Sequence, residues 1–174
     1  MQGKTTNQLL MNVEQQAAAK VPQDQKERFD KIVRAGMKIM SSPETSEMMQ
    51  SQLKKDGAPT ENAGEGAAKL FGIMMHESKG TMPMAAAIPA MQVLLCEGLD
   101  FMEQAGMIEV TNDIIAESTK SMMGYILQMI GVKKEQMDKY MQAGMQASDA
   151  KSGAAPQAAA QPGIVSGAMA QGGM

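Results

Sequence analysis

Few side chains in this sequence could do chemistry, and their spacing decides what each can be. His76, in "MMHES", is the single histidine of the chain. It has no second histidine at helical spacing and no nearby cysteine, so zinc binding and Cys–His catalysis both lack partners. It reads as a half-exposed helical histidine. Cys96 is the single cysteine, which excludes an intramolecular disulfide; within an apolar run it reads as a buried small hydrophobe. Glu97, Asp100 and Glu103 lie at i, i+3 and i+6 on one helical face. Carboxylate catalysis would need a pocket around such a row, and the row reads as the solvated edge of an amphipathic helix. "NAGEGAAK" has the glycines of a phosphate loop but neither the closing Lys-Ser/Thr nor a preceding strand. The pairs Met37/Met40, Met74/Met75 and Met82/Met84 could offer thioethers to Cu(I). Methionines are spread along the whole chain, however, and read as core. No catalytic, cofactor-binding or metal site is expected, and the chain is expected not to be an enzyme.

What remains is a question of packing. Leu, Ile, Val and Phe together supply only about a sixth of the 174 residues, a share that goes with disorder in other sequences. The deficit is made up by 21 methionines. Methionine is unbranched and polarizable, fills irregular gaps and specifies a unique packing weakly, so such a surface can repack. With three Phe, two Tyr and no Trp, the chain has few platforms on which bases could stack. The net charge of -3 also lacks a basic footprint, and no sequence-specific nucleic-acid binding is expected. The N-terminus has no apolar h-region of secretory length, so the chain is expected to be made and first kept in a cytoplasm.

Apolar positions recur at three and four, with no alternation of strand type, which predicts an all-α fold of about six to seven helices. A first helix is expected over about 5–20 and a second from Pro22 to about Ser41. The second carries Phe29, Ile32, Val33, Gly36, Met37 and Met40 as a stripe. Ser42, Pro43 and Glu44 open a third helix that ends near Asp56. "DGAPTENAGEG" reads as a loop by composition. Helices then follow over about 67–79, 89–105, 112–130 and 133–147, with Gly106 and Gly131 as stops. In domain terms the chain divides into N-terminal amphipathic helices (1–56), a linker (57–66), a helical core with a kinked apolar hairpin (67–148) and a flexible, low-complexity tail (149–174).

The most unusual stretch is "GTMPMAAAIPAMQVLLCEGLDFMEQAG" at 80–106. Between Met82 and Cys96, Gln92 is the only polar side chain. A membrane-spanning helix needs about 20 apolar residues, and Pro89 would cut this run in two, so an ordinary spanning helix is not expected. With "SMMGYILQMIGV" it predicts a helical hairpin, buried in one state and open to lipid or to sister subunits in another. The residues expected at an assembly interface are Met84, Ile88, Met91, Leu95, Leu99 and Met102, with Ile115, Met122, Ile126 and Met129 near them. Homo-oligomers and a conditional membrane contact follow as expected partnerships.

A charge-poor, Met/Ala/Gln/Gly-rich helical chain with kinked apolar helices and the tail "AAPQAAAQPGIVSGAMAQGGM" resembles the small internal virion or ejection proteins of short-tailed bacteriophages. The resemblance implies a non-enzymatic structural protein carried in the virion and expelled at infection. It would assemble with other virion or ejection proteins in the host envelope and assist genome delivery. Two alternatives share the helical pattern: a type III-type translocator or secreted helical effector, and a cytoplasmic helical adaptor or scaffold.

Overall fold

A computed structural model describes residues 5–43, 47, 51 and 56–132. Among these residues the fold is all-helical, with five α-helices and no strand. They are α1 (Gln8–Ala19), α2 (Lys26–Met40), α3 (Pro59–Glu77), α4 (Met84–Gln104) and α5 (Asn112–Met129), with a single 3-10 turn, Gln23–Gln25, leading into α2. The expected third helix lies mostly outside the described residues. The expected helix at 133–147 and the tail at 149–174 lie wholly outside them.

Local chemistry accounts for most helix ends. Asn7 caps α1, its side chain accepting the Leu9 N–H at 2.8 Å, and Thr111 caps α5 by accepting from Ile114 at 3.3 Å. Gly106 and Gly131 stop α4 and α5, at φ 69 and 81, where a left-handed residue lets the next N–H reach back. Met107 then donates to the Met102 carbonyl and Val132 to the Leu127 carbonyl, both at 2.9 Å.

Two expectations are corrected. The stretch at 57–66 is not a linker: from Pro59, which suits a first helical position, it is the opening half of α3. Its small residues are there because two backbones meet. A Cβ added at Gly64 would stand 2.5 Å from the Ser121 Cβ and 2.7 Å from the Met122 nitrogen. The second correction concerns Pro89, which neither breaks nor restarts the helix; α4 runs through it for 21 residues. Proline leaves the carbonyl four residues earlier without its donor, and Ala85 is exposed, so water can satisfy that group.

Packing places α4 at the centre. It touches α1, α2 and α3, whereas α5 lies chiefly along α3. The two apolar segments are therefore not a closed hairpin against each other. Gly64 faces Ser121 and Gly72 faces Met129, so the contacts advance together and α3 and α5 run in the same direction. The core draws Leu10 from α1, Phe29 and Ile32 from α2, Phe71 and Met74 from α3, Leu94, Leu95 and Leu99 from α4, and Met122 and Ile126 from α5. The α2 stripe faces this core as expected, and at Gly36 the helix comes so close to α4 that a Cβ would collide with the Leu94 side chain.

Candidate functional site

Most of the residues expected at an assembly interface are enclosed in the molecule's own core. Met91, Leu95, Leu99, Met102, Ile115, Met122 and Ile126 are all buried. Ile88 is half-buried, and only Met84 and Met129 are exposed, at 36% and 49%. In this conformation the ten side chains do not form one accessible surface. Periodicity marks an apolar face without saying whether the same chain or another covers it.

What covers the α4 face on one side is α1, and the seam between them collects the polar groups of interest. Asp100 is only 4% exposed although it is a carboxylate in the body of α4. Its Oδ1 accepts the Thr6 backbone N–H at 3.0 Å, the Thr6 hydroxyl at 3.0 Å and the Asn7 N–H at 3.3 Å. Its Oδ2 accepts from the Gln104 amide. Several donors to one carboxylate are what allow it to be buried. Glu103 continues the anchor, accepting from the Asn7 side chain at 2.7 Å and from the Val110 N–H at 2.8 Å. It thereby ties the start of α1 and the α4–α5 connection to one side chain.

Further along the same seam, the buried Thr5 hydroxyl donates to Glu14 of α1. Burial raises the Glu14 carboxyl above its ordinary value; the Thr5 hydrogen bond opposes this and the Asp100 charge adds to it. Burial likewise raises Glu97, reinforced by Glu14 and then by Asp100. The row at 97, 100 and 103 is thus a docking strip for the N-terminal segment, not a solvated edge. The available signal was a single acid set directly between Leu99 and Phe101, on a helix otherwise poor in charge, with an Asn-capped helix elsewhere in the chain.

The remaining chemical candidates are placed as follows. Cys96 is fully buried and its thiol is pushed up to about 12, by burial first and then by the Glu14 and Glu97 carboxylates. Such a thiol is a poor nucleophile. His76 is exposed near the end of α3. Among the described residues no three His, Cys, Asp or Glu side chains are grouped to hold a metal ion. A cleft of about 30 Å³, lined by Met40, Ala67, Leu70, Leu94, Leu95 and Met102 among others, has room for about one water. An open groove of about 560 Å³ lies between α2 and the α3–α4 turn, with Ile32, Met74 and Met82 among its walls and Arg28, Lys31 and Glu77 among its polar lining.

Among the described residues, α4 is the one helix long and apolar enough to cross a bilayer, with a mean hydropathy of 1.3, and half of it is buried inside the molecule. The same test is passed by core helices of water-soluble proteins.

No protein family, characterised protein or solved structure matches this chain.

Proposed function

We propose that this chain is a non-enzymatic structural protein of a bacteriophage particle, of the internal-virion or ejection kind. In this reading it self-associates, together with other virion proteins, and assists passage of the genome through the host envelope. The observation that carries the reading is α4: a 21-residue apolar helix at the centre of the fold, covered along one side by a short N-terminal helix held by polar anchors. Such a helix can pass from internal to intermolecular or lipid contacts without new chemistry. Methionines at 74, 82, 91, 102 and 122 in the core support this, since their side chains repack at low cost.

The bilayer-compatible length of α4 also favours a second reading, a secreted helical translocator. Mass spectrometry separates the two. The virion reading expects peptides of this chain in purified phage particles, in multiple copies per particle. Its absence from particles, with recovery from the culture supernatant of a secreting bacterium, would replace the virion reading with the translocator.

A further inference from the structure

We infer that α1 is an exchangeable cover, and that the α4 face it closes is reoccupied in the assembly by α1 of a second copy of this chain. The inference rests on the reading that the chain self-associates, and it supplies a contact for that association.

Four observations carry it. First, α4 is the only helix among the described residues against which α1 packs to any extent. Among the described residues, one main interface and a short connection hold α1 to the other helices. Second, that connection is only Lys20–Gln25, and Pro22 within it, at ψ 145, keeps α1 from continuing into α2. Third, the seam combines a specific anchor with a built-in weakness. Thr6 and Asn7 are held on Asp100 and Glu103, while Glu14 of α1 faces Glu97 and Asp100 of α4. No lysine or arginine of the described residues pairs with these carboxylates. Fourth, the vacated face would present buried Cys96 beside the Asp100 and Glu103 acceptors. The surface on the page that complements both is α1 with Thr6, Asn7 and Leu10.

Exchange of an identical element between protomers preserves every contact and changes only which chain supplies it. The competition is then set by concentration. An internal α1 competes at an effective concentration on the order of millimolar for a short tether, which close packing inside a particle can approach. Exchange between many copies would convert compact monomers into a continuous assembly, with the methionine core adjusting to the new angle between chains.

Glu14 accepts from Thr5, whose neighbour Thr6 is held on Asp100 one helical turn along α4 from Cys96, and this gives the test. The full-length chain carrying Glu14→Cys and Cys96→Ser is mixed with the wild-type chain at high concentration and treated with a short thiol–thiol cross-linker. Glu14→Cys alone, with Cys96 retained, serves as the control and is treated until it locks within one chain, which sets the reaction time for the slow Cys96 thiol in the mixture. The inference expects a covalent heterodimer from the mixture on a non-reducing gel, absent when the mixture is held in denaturant. A mixture that stays unlinked while the control locks internally overturns it. Light scattering of the wild-type chain reads the same point without substitutions. A dimeric or larger fraction should grow between micromolar and millimolar chain, and a monomer throughout overturns the exchange. Loss of exchange with the chain still present in purified particles removes this inference alone. Exchange by a chain that particles lack removes the virion reading instead.

Discussion

Asp100 Oδ1 accepts the Thr6 backbone N–H at 3.0 Å, across 94 positions of sequence. One side chain near the C-terminal end of the central helix thereby fixes the backbone just ahead of α1. Asp100→Ala removes the shared acceptor of two backbone N–H groups and a hydroxyl. An intramolecular hydrogen bond contributes about 0.5–1.5 kcal/mol net, and three are lost together, so a loss of about 2–3 kcal/mol is expected in urea unfolding. Hydrogen exchange should show the loss concentrated in α1, with α3 and α5 protected as before. Equal deprotection of all helices would mean that α1 is not a separable unit.

The same seam sets a pH dependence. Glu14 and Glu97 have raised values in the folded state, so folding takes up protons and the stabilisation is complete below the ordinary value of 4.5. It is lost as pH climbs through the raised folded values, with Asp100, Glu103 and the Cys96 thiol as the other titratable groups in or beside the seam. Docking of α1, followed by hydrogen exchange of its amides, should therefore weaken as pH rises from 4.5 toward neutrality. The double variant Glu14→Gln/Glu97→Gln should flatten that slope, and a slope unchanged by it would contradict the assignment.

Cys96 reports on the seam chemically. With the thiol pushed up to about 12 from 9.0, its thiolate fraction near neutrality is roughly 1000-fold below that of an ordinary cysteine. Labelling by Ellman's reagent should be much slower than for a model thiol, and Asp100→Ala should accelerate it. Rapid labelling of the wild-type chain would mean that α1 does not cover Cys96.

The α3–α5 crossing predicts a contrast between glycines. Gly64→Ala pushes a methyl into the backbone of Met122 and the Ser121 Cβ, and should destabilise by about 2–3 kcal/mol, since neither neighbour can swing away. Gly98→Ala meets nothing within 4 Å, and should stabilise α4 by about 0.5–1 kcal/mol. Nearby, the fully buried Ser118 hydroxyl has no hydrogen-bond partner among the described residues, so Ser118→Ala should be neutral or stabilising by about 1 kcal/mol. Thermal melts of the three variants decide the matter.

The helices of this chain were legible wherever apolar residues recur at helical spacing, as in α2 and α5. Their assignment failed where small residues dominate. "GAPTENAGEG" has the composition of a loop, yet Gly64 is there to let α3 and α5 touch, a tertiary reason that a local reading does not contain. Asp100 failed for a similar cause, because its donors lie on a segment far away in sequence. Leu95 and Leu99 were read as apolar contacts between chains, and in this conformation both are buried in the chain's own core.

That last distinction changes which substitutions are informative. Leu99→Asp buries a carboxylate without a partner and should cost about 4 kcal/mol or more, unfolding the monomer before assembly can be tested. Met129→Asp, at a residue 49% exposed, should stay within about 0.5 kcal/mol of the wild-type chain in stability. If Met129 belongs to a copy–copy contact, this variant should weaken self-association while keeping its melting profile.

The central claim is that the chain acts by joining copies of itself inside a particle. Electron microscopy of the native particle tests it most directly. The account predicts several copies in contact, with α1 of one lying on α4 of the next. Solitary compact copies, or particles without the chain, would contradict it.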